Sequence, residues 1–189
     1  MYNMAFSAFM ALMGTSASPS AITDACTVQI PQTLVAKIHV DYPRFRPVRA
    51  SDYSQASLTY PEAHGISCPG VAASNINGMR YTALFVMGDK TGHTLLLVAH
   101  PVTASRWSIG TLSDFGNDGV ARSYVEPVAA GRYVDLFAGE NAPSDYEPEP
   151  GRVKHYHSRT PGFLAGAMES TGAAYFFTSK HWVHLWLLD

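Results

Sequence analysis

Two apolar runs joined by a short polar turn constrain this chain more than any other feature. Residues 80–87 read RYTALFVM and residues 93–100 read HTLLLVAH. Gly88-Asp89-Lys90-Thr91-Gly92 lies between them. Apolar runs of this length flanking a glycine-bounded turn predict a β-hairpin. Leu95 to Val98 is apolar without alternation, which predicts a strand covered on both faces.

A second hairpin is predicted at the end of the chain. Residues 173–177 (AAYFF) and 181–187 (HWVHLWL) flank Thr178-Ser179-Lys180. In the last run Trp182, His184 and Trp186 share one face, while Val183, Leu185 and Leu187 share the other. Residues 33–40 (TLVAKIHV) are rich in β-branched side chains and predict another strand. Residues 106–112, 132–137 and 152–157 are further strand candidates, and turn-rich residues 113–119 follow the first of these. A short helix over residues 51–63, capped by Ser51 or Asp52, is the one helical segment expected. The fold class is therefore all-β: an antiparallel sandwich or a small propeller-like stack of hairpins, with at most one or two short helices.

Composition excludes several function classes. Only 15% of residues are charged while 47% are hydrophobic, so a disordered chain is excluded. A net charge of −2, with no basic cluster denser than Arg44, Arg46 and Arg49, gives no electrostatic footprint for nucleic acid.

The N-terminus bears on compartment. Residues 5–14 form an apolar run too short to span a bilayer, followed by Thr15-Ser16-Ala17-Ser18. An apolar stretch and then small residues is the outline of a signal peptide over residues 1–20, with cleavage near Ala17. The positive start of such a leader is missing, since the first basic residue is Lys37. The other reading is a buried N-terminal helix of a cytosolic protein. Residues 21–189 form one β-rich domain in this scheme, long enough for a sizeable core. The two cysteines, Cys26 and Cys68, read as a disulfide in an exported chain. The alternative is a lipidated Cys26, for which Ile22-Thr23-Asp24-Ala25 is a poor preceding motif.

Few residues carry recognisable chemistry. His155-Tyr156-His157 puts two imidazoles on one strand face, half of a metal site or a plain interface pair. Gly65-Ile66-Ser67-Cys68-Pro69-Gly70 lacks the spacing of a nucleophile elbow, and Pro69 breaks its context. The glutamates are scattered, and no phosphate-cradling glycine loop occurs. No catalytic residue, metal ligand or cofactor is therefore assigned, and the chain is not expected to be an enzyme. Residues 140–151 (ENAPSDYEPEPG) are different in kind: four acids, three prolines, one tyrosine and no base. Proline limits the freedom of such a loop and lowers the ordering cost on binding. Asp145, Tyr146, Glu147 and Glu149, with His155, Tyr156 and His157 beside them, are the expected partner-binding residues. A basic cleft on another protein is the surface they would suit.

Residues 73–84 (ASNINGMRYTAL) resemble the calcium-loop strand of FG-GAP/VCBS-like repeat proteins at Asn75, Asn77, Gly78, Ala83 and Leu84. The acids of that loop are replaced at Asn75, Met79 and Tyr81, so the resemblance carries no metal site here. More broadly, the order of RPVRASDY, Cys68, TLLLVA, a Trp strand, YVEPVAAGRY and a closing W-x-x-x-W-x-x-D over residues 45–189 is similar to small exported proteins of Gram-negative bacteria. Periplasmic immunity proteins and inhibitors of lysozyme-like enzymes are related in general type. The resemblance implies a periplasmic protein whose partner is a secreted toxin enzyme, with no nucleic acid and with membrane contact only through export. An envelope hydrolase with a site built from distant residues, and a structural envelope protein, are the other two expectations.

Overall fold

The computed structural model describes residues 26, 29–54, 58, 68–117, 119, 123–137, 154–167 and 172–187. The leader expected over residues 1–20 lies outside them. So do most of residues 51–63, of which a 3-10 turn at Ala50–Asp52 and the Leu58 N–H bond to the Ser54 carbonyl are described.

Strand β3 (Met79–Gly88) organises the molecule because both of its faces are buried. Tyr81, Ala83 and Phe85 point one way, Leu84 and Val86 the other, and all five are 7% exposed or less. Its neighbour β4 (Thr94–Pro101) repeats the pattern, with Leu96 and Val98 on the first face and Leu97 and Ala99 on the second. The hairpin and its two-sided burial are as the sequence predicts. Strand β1 (Phe45–Pro47) and strand β2 (Val71–Ile76) share the other edge of β3, opposite residues 86–88 and 79–84 respectively. Strand β5 (Trp107–Gly116) completes the sheet beyond β4, with register shifts opposite Thr94–Leu97. All of its pairings are antiparallel.

A second antiparallel sheet lies against the first face. Its order is β11 (Trp182–Leu187), β10 (Gly172–Phe177), β9 (Gly162–Ala167) and β6 (Ser123–Val128). The core between the sheets is built from Phe85, Leu96, Val98, Val125, Phe163 and Tyr175, with Trp182 and Trp186 at its margin. Leu185 and Leu187 face away from it, so β11 splits its side chains as expected. The Val125 amide donates to the Pro69 carbonyl at 2.8 Å and ties the two sheets together at that corner. The architecture is an antiparallel β-sandwich.

The outer face of the first sheet is covered by helix α1 (Gln32–Asp41). This corrects the strand expected over residues 33–40. Leu34 and Ile38 are four residues apart, and a helix turns both, with Ile30 just before it, onto Leu84, Val86, Leu97 and Ala99. Burial of that stripe outweighs the modest β preference of Val35, Ile38 and Val40. Pro31, with no N–H to lose, suits the helix start. The Cys26–Cys68 disulfide sits in the same layer, both residues at most 1% exposed, with Cα atoms 5.0 Å apart. It excludes the lipidated reading of Cys26, whose sulfur is already bonded, and it fits an oxidising, exported compartment. Among the described residues no helix is long and apolar enough to cross a membrane.

A two-stranded ribbon, β7 (Gly131–Val134) and β8 (His155–Ser158), covers the outer face of the second sheet. Tyr133 and Tyr156 press onto Phe176 at centroid distances of 4.8 and 5.4 Å. The molecule is thus layered as helix, sheet, sheet and ribbon.

Candidate functional site

The ribbon brings together three of the seven residues expected to meet a partner. Cross-strand pairing sets Arg132 opposite His157 and Val134 opposite His155. With a period of two, these four side chains share the outward face while Tyr133 and Tyr156 share the inward one. His155 and His157 are exposed, and Val134 is 47% exposed, an uncommon position for a β-branched apolar side chain. Tyr156 instead serves the core. Asp145, Tyr146, Glu147 and Glu149 lie in the connection from β7 to β8 and fall outside the described residues. Among the described residues no group of three or more His, Cys, Asp or Glu side chains is placed to hold a metal ion. The resemblance to a calcium loop meets a different geometry at residues 73–84. Asn77 and Gly78, with φ of 53° and 78°, form a two-residue turn that closes β2 and β3 into a tight hairpin.

A second site was not anticipated. A cleft of about 550 Å³ opens beside the β3–β4 turn, lined by Pro43, Arg44, Phe45, Lys90, His93 and Asn117 among others. Its frame is held by backbone bonds: Gly88 N–H to the His93 carbonyl at 2.8 Å, Asp89 N–H to the Arg44 carbonyl at 3.1 Å. Phe45 stands edge-on between Tyr42 and His93, with ring centroids 6.3 and 6.1 Å away. The β4–β5 register brings His93 to Asp114, whose two carboxylate oxygens lie 2.9 and 3.0 Å from Nε2. The Gly116 amide, above all, lowers the Asp114 pKa; slight desolvation opposes it, and the His93 bond assists.

A histidine oriented by a carboxylate is two-thirds of a nucleophilic triad. Among the described residues no hydroxyl or thiol is hydrogen-bonded to the His93 ring. The nearest hydroxyl bond involves the backbone: the His93 N–H donates to Thr91 Oγ1 at 3.2 Å. The arrangement can orient an imidazole and bind. No sequence signal marked it, because Arg44, the Lys90–His93 turn and Asp114 come from three separate segments. The only hint was polarity within the turn at Asp89 and Lys90. The chain matches no protein-family model, no curated protein and no solved structure.

Proposed function

We propose that this protein is an exported, periplasmic binding protein that blocks a secreted toxin enzyme, in the manner of an immunity protein. The outer face of the β7–β8 ribbon and the acidic connection between its strands carry the contact. One observation carries this reading. The ribbon is anchored by Tyr133 and Tyr156 on one face and offers Arg132, Val134, His155 and His157 to solvent on the other. A ribbon packed on one side presents its outer side chains on an already ordered backbone, which lowers the ordering cost at the moment of binding. The strands also hold both ends of a segment with four acids and no base, suited to a basic enzyme cleft. The disulfide supports export, and the resemblance to exported immunity and inhibitor proteins supports the kind of partner.

The test is capture of the secreted enzyme encoded beside this gene, with affinity measured by calorimetry. His155→Ala with His157→Ala should weaken binding at least tenfold without altering the melting temperature. Tyr146→Ala with Glu147→Lys should do the same. Undiminished binding in the first pair removes the ribbon face from the contact, and in the second pair removes the loop. Failure of the unmodified protein to bind or inhibit that enzyme overturns the reading as a whole.

A further inference from the structure

We propose that the cleft beside the β3–β4 turn binds a small organic anion: a carboxylate or phosphate group on a compact apolar body, with Arg44 and Lys90 holding the charge. This site shares no residue with the ribbon, and the proposal stands independently of the reading above.

The charge balance of the lining points to an anion. Among the described residues, four charged or chargeable groups line the cleft: Arg44, Asp89, Lys90 and His93. Asp89 is turned toward Arg46, with Oδ1 3.8 Å from its Nε. His93 already has a carboxylate, Asp114, at 2.9 Å. Arg46 is itself engaged by both oxygens of Asp52 at 2.7 and 2.8 Å. Among the described residues, each of these carboxylates therefore has a cationic or imidazole neighbour of its own. Arg44 and Lys90 make no ion pair with any described residue, and both are exposed at the lip. Two cations without an ion-pair partner among the described residues, on one concavity, give it a positive field, and concave walls focus such a field on a ligand. Arginine offers a planar fork for an oxyanion and lysine a mobile point charge, a combination suited to carboxylate or phosphate.

The rest of the cleft specifies size and shape. About 550 Å³ falls within the usual range for small-molecule sites. Phe45 supplies an apolar wall whose ring is held between Tyr42 and His93, so little ordering is left to ligand binding. Gly88 keeps the floor open: a Cβ there would sit 3.0 Å from Thr91 Oγ1 and 3.7 Å from the Phe45 ring. Asn117 adds a neutral donor and acceptor at the rim.

The experiment is a titration of the full 189-residue chain with phenyl phosphate, followed by amide chemical shifts and by calorimetry. Benzoate serves as the carboxylate probe and benzylamine as a cation of the same body. Saturable shifts confined to residues 44–46, 88–93 and 114–117 are expected with phenyl phosphate, benzoate or both, and the stronger of the two identifies the anion. Benzylamine should bind at least tenfold more weakly. Arg44→Ser with Lys90→Ser should lower affinity for the anion at least tenfold, with the melting temperature as a check on folding. Asp114→Asn, which leaves both cations in place, should keep at least a third of the affinity. No saturable shift, shifts spread over the molecule, equal binding of benzylamine, or undiminished binding by the Arg44/Lys90 variant would each overturn the proposal.

Discussion

Arg46 grips Asp52 with two hydrogen bonds, its guanidinium nitrogens 2.7 and 2.8 Å from the two carboxylate oxygens. The same carboxylate accepts the Arg49 N–H at 2.7 Å. The pair locks β1 to the 3-10 turn and so sets the backbone that carries Arg44 and Phe45 to the cleft.

Burial by itself would raise the Asp52 pKa, but the Arg46 bonds, the Arg49 amide and both positive charges prevail and lower it. A carboxyl depressed by folding stabilises the protein above its unfolded pKa of about 3.9, and that contribution is lost as pH falls through the folded value. Asp52→Asn should therefore cost about 1–2 kcal/mol at neutral pH, a partly exposed charged pair sitting below the buried range. The difference from the unmodified protein should vanish toward pH 2. Urea unfolding at pH 7, 4 and 2 checks this; parallel stability profiles for the two proteins would contradict it.

The disulfide closes a loop with a sequence separation of 42 residues. In the chain-entropy model a loop of that size stabilises by about 4 kcal/mol. Cys26→Ala with Cys68→Ala should lower stability by roughly that amount, together with the small loss of buried sulfur packing. Denaturant unfolding of oxidised and reduced protein gives the same quantity by a second route. A loss under about 1 kcal/mol by both would show that the unfolded chain is already constrained there.

Gly162 and Gly110 make a matched pair. A Cβ on Gly162 would run into the Tyr175 carbonyl oxygen of β10 and lie 2.8 Å from the Phe176 ring. A Cβ on Gly110 would meet nothing nearer than Val98 Cγ1 at 4.0 Å. Gly162→Ala should cost about 3 kcal/mol through overpacking. Gly110→Ala should be neutral or gain about 0.5 kcal/mol from lower chain entropy. Thermal melts of the two variants decide it, and equal effects would refute the close approach of β9 and β10.

Tyr53 is 7% exposed, and its hydroxyl has no hydrogen-bond partner among the described residues. Burial pushes its pKa far above the ordinary phenol value, with the Asp52 charge adding to the effect. A buried polar atom without a partner carries a desolvation penalty that a hydrocarbon does not. Tyr53→Phe should hold stability or raise it by up to about 1 kcal/mol. A clear destabilisation in chemical unfolding would mean that the hydroxyl has a partner.

Much of the sandwich was legible because its signals are local. The β3–β4 and β10–β11 hairpins announce themselves by apolar runs around short polar turns. The lack of alternation in Leu95 to Val98 reports burial on both faces. The Asn77-Gly78 turn was equally local, but reading residues 73–84 as a degenerate metal loop hid the hairpin and strand β2. Strands β1, β6 and β9 escaped because they are short and interrupted by Pro47, Pro127, Gly162 and Gly166. Residues 33–40 misled for another reason. Their β-branched content favours a strand, and only the apolar face waiting on β3 and β4 selects the helical stripe of Leu34 and Ile38.

The sequence by itself determined the β-rich class, the two principal hairpins, the two-sided burial of the central strand and the availability of two cysteines to pair. These follow from side-chain period and turn chemistry, which act over a few residues. Tertiary structure alone decided that one helix covers the larger sheet and that the ribbon turns His155 and His157 outward. It alone assembled Arg44, Phe45, Lys90 and His93 into one cleft. Those relationships depend on strand register and on which faces remain to be buried, as when Thr94 pairs with Gly116 and brings His93 to Asp114. Contacts between residues far apart in the chain are set by packing of the whole, and no short spacing records them.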